Sequence, residues 1–382
     1  MAHYMPWYVS PPTSSEWGWH WTMKHFDPEN LTDGRREAAS HYYPLIGLYD
    51  SNDPNALECH VLLMKLAGID GVIIDWYGRD DFLDYAVNHR NTLHMVDFVR
   101  KAGLRFAIMY EDQTVKKEID GNFLSAPNAV AHGRTLMKWV DKQWFSSPTY
   151  LKLNNHPVFM VFGPQYYKDK EWSQLFNDLH SAPSFFTLQD AKVAAATGGF
   201  SWPQPKDGTD ESISKLSEFY ERSKHWSAFV PSAYPRFHDI YQEAGVRPSW
   251  GMIDDLSGKT FKDTLDLAIE SKPALIQLVT WNDWGEGTQI EPSVEFGYRD
   301  LETTQICRRK LDRSFHYTAQ DLRLPVQLCL LRKEYRDNKS VGNVLDRISR
   351  DLFRGDTHHA RQLLKSFDQS QAKPKDVAAS HV

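Results

Sequence analysis

The sequence predicts an α/β protein that folds as a (β/α)8 TIM barrel with an appended C-terminal helical segment. Two observations support this prediction. Eight apolar strand patterns alternate with helix patterns over about the first 280 residues, and a barrel of this kind typically takes about 250 residues. The competing fold, a doubly wound open sheet, usually has a glycine-rich turn after its first strand, and this chain has none there.

The strand patterns are short runs of β-branched and aromatic residues bounded by turn-forming residues. Several are apolar throughout, which is typical of parallel strands that are buried on both faces. The sixth pattern is the weakest because it begins with two glycines. In chain order, the predicted strands lie at 3–9, 69–78, 104–112, 156–164, 183–190, 197–205, 227–237 and 274–284.

The helix patterns between these strands have apolar residues at helical spacing. The first of them has Pro54 in its first turn and ends on Gly68. Proline favours the start of a helix and glycine favours its end. The predicted helices lie at 53–68, 90–103, 130–145, 167–180, 210–225 and 260–272.

Composition excludes several classes of protein. The chain has 382 residues and a formal net charge of -6, and no stretch approaches the roughly 18 to 20 apolar residues of a membrane span. Its three cysteines are too scattered for a disulfide scaffold or a CxxC zinc site. The HExxH, Walker and Ser/His/Asp patterns are absent, which argues against a metalloprotease, a nucleotide-binding protein and a serine hydrolase.

The C-terminal part of the chain differs from the rest. All 13 tryptophans lie between Trp7 and Trp284, and residues 305–382 carry 16 Lys+Arg against 9 Asp+Glu. We therefore predict a catalytic barrel over 1–300, a helical extension packed on it over 301–370, and a disordered tail over 371–382. Basic and acidic residues alternate in the extension, which favours solvated helix faces over a surface for nucleic acid or an acidic partner.

Polar and aromatic side chains follow the predicted strands where each strand ends. In a TIM barrel the carboxyl ends of the strands form the active site, so we expect these side chains to share one pocket. Aromatic walls with hydrogen-bonding groups between them suit a sugar, because its C–H face packs on a ring while its hydroxyls bind polar groups. The strand-end residues are Asp75, Trp76, Glu111, Trp202, Tyr234, Trp281, Asn282, Asp283 and Trp284.

The densest group of carboxylates follows the eighth strand pattern, in the segment WNDWGEGTQIEP at 281–292. Asp283 and Glu286 are three residues apart, so their Cβ atoms would lie roughly 5–6 Å apart on a helical turn. A carboxyl pair around a glycosidic bond is the usual equipment for hydrolysing it, and an apolar neighbour such as Trp284 would raise one pKa. The alternative is that these acids cap a helix or form ion pairs.

The same segment, WNDWGEGTQIEPS, resembles the WNEWhEGTqIEp segment of the glycoside hydrolase family 99 endo-α-mannosidases and of family 99-like proteins found with polysaccharide clusters. Other segments agree with this resemblance, among them PWYVSP at 6–11, GWHW at 18–21 and YYPLIGLYDSNDPNALECHVLLMKLAGIDGVIIDWYG at 42–78. The resemblance covers about residues 1–300. It implies a retaining, endo-acting, α-mannosidase-like glycosidase of TIM-barrel fold that needs no metal or cofactor.

The resemblance also implies roles for the carboxylate pair. Glu286 matches the general acid/base of the family. Asp283 matches the residue that assists the sugar's own 2-hydroxyl, which attacks the anomeric carbon to give a 1,2-anhydro sugar. The chain departs from the family pattern at both Asp283, where the family has Glu, and Gly285, where the mannosidases usually have His. The side chain of aspartate is one methylene shorter, so either the backbone moves closer or the assisting role passes to another residue.

We expect the remaining strand-end and first-loop residues to bind the substrate, an oligosaccharide or glycan. Core packing and ion pairing are the alternative roles of each. The predicted substrate-binding residues are Tyr8, His20, Trp21, Asp75, Trp76, Glu111, Trp202, Tyr234, Trp281, Asn282 and Trp284.

Two other functions remain open at this point. One is a glycosyl-transferring enzyme of polysaccharide assembly, and the other is a non-catalytic glycan-binding barrel, which the departure at Asp283 suggests. The substrate class favours a periplasmic or extracellular protein whose signal segment has been removed, with the cytoplasm as the alternative. The sequence does not indicate which oligomeric state the protein adopts.

Overall fold

Eight parallel strands form the barrel, and their spatial order is β7-β8-β1-β2-β3-β4-β5-β6. The computed structural model describes residues 1–371. A parallel bridge between Phe200 and Val230 brings β6 beside the segment that leads into β7, which closes the ring. The strands are β1 (Ala2–Tyr4), β2 (Gly71–Trp76), β3 (Arg105–Tyr110), β4 (His156–Val161), β5 (Ser184–Leu188), β6 (Gly198–Phe200), β7 (Ser232–Ala233) and β8 (Gln277–Leu278).

Helices alternate with these strands and continue beyond the last one, as the sequence predicts. Three 3-10 segments and a π-helical turn at Asp141–Phe145 supplement them. The α-helices are α1 (Trp19–Thr22), α2 (Pro54–Ala67), α3 (Tyr85–Ala102), α4 (Gln113–Asp120), α5 (Ala129–Val140), α6 (Asp169–Phe176), α7 (Thr209–Ser223), α8 (Lys259–Glu270), α9 (Arg299–Leu311), α10 (Arg323–Glu334), α11 (Lys339–Arg354) and α12 (Thr357–Gln371).

Helix α2 shows why the sequence pattern located the helices well. Asp53 caps its first turn by accepting a hydrogen bond from the backbone N–H of Asn55, Pro54 occupies the first helical position, and Gly68 ends the helix with φ +80°. A side chain at that φ would be strained, so glycine is favoured there. The helix therefore begins and ends where the residue types at its ends require.

The strand patterns overestimated the length of β1. The pattern extends to residue 9, but the strand ends at Tyr4. The next residue bonds to a side chain instead of a neighbouring strand: the N–H of Met5 donates to Oδ1 of Asn282 at 2.8 Å. Pro6 follows and has no N–H to donate. The residues after β1 therefore form a loop at the barrel mouth.

The C-terminal helices pack on α2, on the outside of the barrel. Leu62 of α2 lies in one apolar cluster with Leu324 and Leu328 of α10. A partly buried ion pair joins the same two helices, with Nε of Arg332 2.8 Å from Oε2 of Glu58. The boundary predicted at 300 falls inside α9, and the predicted tail lies, beyond residue 371, outside the described residues. Over 1–371, no helix has the length and apolar character needed to cross a membrane.

Candidate active site

A cavity of about 630 Å³ opens at the carboxyl ends of the barrel strands. Its size suits a small-molecule or oligosaccharide ligand. Residues directly after β1, β2, β3, β4, β6, β7 and β8 line it. These lining residues include His3, Trp7, Tyr8, Trp19, His20, Asp75, Tyr77, Glu111, Gln113, Phe162, Gln165, Trp202, Tyr241, Arg247, Trp250, Asp283, Gly285 and Glu286.

Four carboxyl groups face this cavity. Asp75 is the penultimate residue of β2, Glu111 follows β3, and Asp283 and Glu286 follow β8. Asp75, Glu111 and Asp283 are buried, while Glu286 is partly accessible. The parallel strands bring together acids that are more than 200 residues apart in the chain. The sequence predicted all four at this end of the barrel.

Burial shifts the pKa of each of these acids upward, since a charged carboxylate is poorly solvated there. It raises the pKa of Glu111 and that of Asp283 to about 7. The pKa of Asp75 and that of Glu286 lie well above their usual values through burial first and through neighbouring carboxylates second. The cavity therefore holds carboxyl groups that carry protons at neutral pH, as acid/base chemistry requires.

The turn after β8 fixes Asp283 relative to Glu286. Oδ1 of Asp283 accepts a hydrogen bond from the backbone N–H of Glu286 at 2.9 Å. The backbone N–H of Asp283 donates to Oγ1 of Thr280 at 2.8 Å. Gly287 completes the turn with φ +67°, and a Cβ atom there would lie 2.7 Å from the carbonyl oxygen of His238. The turn has space only for glycine at that position.

The aromatic walls of the cavity come from several strand ends. Trp7 stacks on His20 with ring centroids 4.2 Å apart, and Trp202 packs edge-on against His3 at 4.9 Å. Tyr8, His20 and Trp202, three of the predicted binding residues, line the cavity.

Three buried polar atoms in the lining have no hydrogen-bond partner within the described residues: Nε1 of Trp7, Nδ1 of His3 and Oδ2 of Asp75. A buried polar atom without a partner is costly. Sugar hydroxyls can both donate and accept, so a bound glycan would satisfy all three. Burial lowers the pKa of His3 to about 3, so its imidazole is neutral.

Trp281, Asn282 and Trp284 do not line the cavity, contrary to the prediction. Nδ2 of Asn282 and Nε1 of Trp284 both donate to Oη of Tyr49, at 3.1 and 3.2 Å. The ring of Trp281 packs against His60, with centroids 5.6 Å apart. In the turn after β8, Asp283 faces the cavity while its neighbours face the core behind it. The prediction for these three residues is therefore corrected: their side chains hold the turn in place and do not line the cavity.

Trp76, Trp21 and Tyr234 are also corrected. Successive strand residues point to opposite sides, so Asp75 faces the cavity and Trp76 faces outward against Trp139 and Trp144 of the helix layer. Nε1 of Trp21 donates to the carbonyl of Tyr49 in the buried first loop. The hydroxyl of Tyr234 bonds to Oγ of Ser212 at 2.8 Å, away from the cavity.

A buried hydrogen-bond network lies behind the turn after β8, and the sequence pattern did not reveal it. Oη of Tyr49 donates to Oε2 of Glu291 at 2.7 Å, and Nε2 of His60 lies 3.0 Å from Oε1 of the same carboxylate. Nδ1 of His60 lies 3.1 Å from Oη of Tyr4 in β1. Because Tyr49 also accepts from Asn282 and Trp284, the network ties the turn after β8 to β1 and α2.

The sequence analysis also missed the loop after β7. Tyr241, Arg247 and Trp250 line the cavity from this loop, whose ends pair as short antiparallel strands at Phe237–His238 and Met252–Ile253. The guanidinium of Arg247 lies between two rings, 4.1 Å from that of Tyr241 and 4.2 Å from that of Trp250. No periodic pattern marks these residues, so only the fold reveals their position.

A (β/α)8 barrel whose carboxyl-end cavity holds buried carboxyl groups between aromatic walls has the construction of a glycoside hydrolase. The family model for glycosyl hydrolase family 99 matches residues 1–185 and 187–318 of this chain. The chain belongs to that family and is a glycosidase that acts on glycan chains. The resemblance seen in the sequence is confirmed.

The chain is 24% identical to a glycoprotein endo-alpha-1,2-mannosidase from Rattus norvegicus, over 77% of this chain and 67% of the relative. It is 23% identical to a glycoprotein endo-alpha-1,2-mannosidase-like protein from Danio rerio, over 76% of this chain and 70% of that protein. The structure of a GH99 endo-alpha-mannosidase from Bacteroides thetaiotaomicron matches with a TM-score of 0.61 at 22% identity, covering 82% of this chain and 96% of that one. That match confirms the barrel fold.

Proposed function

We propose that this glycosidase cleaves α-mannosidic bonds inside a glycan chain with retention of configuration. The observation that carries the proposal is that Asp283 and Glu286 leave one rigid turn and face the same cavity. The names of the relatives support the α-mannoside as substrate. Glu286 is the general acid/base, and Asp283 is the group that handles the sugar's 2-hydroxyl.

Glu286 suits the acid role because its pKa is raised well above its usual value, by burial first and by Asp283 second. It therefore holds a proton at neutral pH and can give it to the departing glycosidic oxygen. The cleaved chain leaves as a neutral alcohol.

Asp283 suits the base role because the backbone N–H of Glu286 orients its carboxylate and favours its charged form. It takes the proton of the 2-hydroxyl while that oxygen attacks the anomeric carbon from the opposite side, forming a 1,2-anhydro sugar. Glu286, now charged, then takes a proton from water as the water oxygen attacks the same carbon. Asp283 returns its proton to the 2-oxygen. Two inversions give net retention.

Gly285 leaves no side chain between the two carboxyl groups. A Cβ atom at this position would lie 3.1 Å from Cε of Met23, so a methionine from the first loop takes up the space that a larger residue would need. A histidine here, as in the family pattern, would therefore need Met23 to move.

Two exposed rings at the mouth of the cavity support the proposed endo action. Trp19 and Trp250 line the cavity with 40% and 52% of their surface exposed. Exposed rings at a cavity mouth provide stacking surfaces for sugars beyond the cleaved bond. Such surfaces would suit a chain that extends beyond the cleaved bond.

The experiment that tests the proposed function is incubation with α-mannosidic glycans, followed by mass spectrometry of the products. The proposal predicts released oligosaccharides. Release of monosaccharides alone would overturn endo action. Binding without cleavage would identify a glycan-binding barrel, and consumption of a sugar nucleotide would identify a glycosyl-transferring enzyme.

We expect kcat/KM to have a bell-shaped pH dependence. Asp283 must be charged to take the 2-hydroxyl proton, so the rate falls as pH drops below its pKa of about 7. Glu286 must be protonated, so the rate also falls at high pH, above its raised pKa. Rates measured between about pH 5 and about pH 10 test this. In Glu286→Gln the alkaline limb should vanish, and a limb that persists would assign it to another group.

Tyr49→Phe is expected to lower kcat roughly tenfold with little change in KM. The substitution removes the oxygen that accepts from Asn282 and Trp284. Nε1 of Trp284 then loses its partner and Nδ2 of Asn282 keeps only the carbonyl of Met5, so the turn that carries the catalytic pair loosens. Tyr43→Phe is the control, since its hydroxyl makes only a 3.4 Å contact to the N–H of Arg36. Equal kcat values for both variants would show that the network does not position the pair.

A further inference from the structure

A second group of chemically active side chains lies outside the cavity. Asp80 is in the loop after β2, Glu118 is on α4 and His132 is on α5. One ligand atom of each residue lies within 4.8 Å of those of the other two. Nε2 of His132 is 2.8 Å from Oδ2 of Asp80. None of the three lines the catalytic cavity.

The burial of Glu118 is the second observation. Its surface is only 2% exposed, and Oε2 of its carboxylate is buried with no hydrogen-bond partner among the described residues. The neighbouring guanidinium of Arg79 is 4.5 Å from the ring of Trp139, over which it stacks. A buried carboxylate oxygen that faces a second carboxylate needs either a proton or a cation between them.

We propose that Asp80, Glu118 and His132 bind one divalent transition cation, Zn²⁺ or Mn²⁺. Two carboxylate oxygens and one imidazole nitrogen are ligands that both ions accept. The cation would neutralise the two facing carboxylates and satisfy Oε2 of Glu118. The proposal is independent of the catalytic assignment.

The cation would be structural. It would link the loop after β2 to α4 and α5. The contact of His132 with Asp80 and the stacking of Arg79 over Trp139 already join this loop to α5. Tyr77 of that loop and Gln113, the first residue of α4, both line the cavity. The linked segments thus form one wall of the active site, and binding of the cation stabilises that wall by mass action.

Calorimetric titration of the chelator-treated full chain with ZnCl₂ and with MnCl₂ tests the proposal. We expect one site per chain for at least one of the two ions, and a higher Tm in its presence. Glu118→Gln and His132→Gln should each weaken binding at least tenfold, because each removes one ligand. Because the site lies outside the cavity, glycan cleavage by the chelator-treated chain should continue at unchanged kcat.

His180→Gln is the matched control. Nδ1 of His180 pairs with Oδ2 of Asp141 at 2.5 Å, and the His180 side chain is 90% exposed. Within residues 1–371 this pair has no third ligand group beside it. This variant should bind as the wild type does. Absence of binding in the wild type would overturn the proposal and leave a proton shared by Asp80 and Glu118. Thermal melts without metal must first show that both ligand variants are folded. Equal metal binding by the wild type and both variants would then also overturn the proposal.

Discussion

Glu286→Gln is expected to lower kcat on a natural glycan by roughly 10²–10⁴ while the substrate still binds. Glutamine keeps the shape and hydrogen bonding of the side chain but cannot give a proton to the leaving oxygen. Steady-state kcat and KM of wild type and variant measure the effect. Glu295→Gln, which changes a partly exposed glutamate nine residues further along the chain, serves as the control.

The leaving group separates acid catalysis from a general loss of structure. A nitrophenol leaves without needing a proton, so Glu286→Gln should lose much less activity on a nitrophenyl glycoside than on a glycan. A variant that lost the same factor on both substrates would argue for structural damage. Near-full turnover of a glycan would show that the acid lies elsewhere, and Glu111, whose pKa is raised to about 7 by burial, would be examined next.

Asp283→Asn is expected to reduce kcat by about 10² or more for every leaving group. The amide cannot take the 2-hydroxyl proton, so the attack step is slowed whatever departs. Comparing kcat on a glycan and on a nitrophenyl glycoside measures this. Asp337→Asn, an exposed substitution on the C-terminal helical segment, controls for the change in charge. A loss limited to the glycan would instead place Asp283 in leaving-group protonation.

Asp283→Glu tests the departure from the family pattern. The carboxylate of Asp283 is already fixed by the backbone N–H of Glu286, and the side chain is 96% buried. The added methylene would move the carboxylate away from the N–H that now fixes it, so activity should fall. Activity at or above the wild-type value would show that the shorter side chain is not compensated by the backbone.

The fold could be predicted from the sequence because the spacing of apolar residues indicates which positions are buried. β2 and β3 are mostly apolar runs, and the residues at the ends of helices such as α2 strongly favour a helix start or a helix end. The hydrogen-bonded strands β7 and β8 are only two residues long, so the apolar patterns that predicted them are longer than the strands themselves. α4 was not predicted, because its eight residues carry few apolar positions.

The site was predicted only in part, for a physical reason. Composition at a strand end shows that polar and aromatic residues are present, but not which of two neighbours faces the cavity. Asp75 and Trp76 are adjacent and face opposite sides. Arg247 and Trp250 reach the cavity from a long loop, and their placement depends on long-range packing that no local pattern records.

The configuration of the sugar released first tests the catalytic assignment most directly. Proton NMR can follow cleavage of an α-mannosidic glycan by the wild type before the product mutarotates. The pair Asp283 and Glu286, acting through the 2-hydroxyl, predicts that the α-anomer forms first and that the β-anomer appears later at the rate of spontaneous mutarotation. Release of the β-anomer first would show a single displacement by water and would contradict the proposed mechanism.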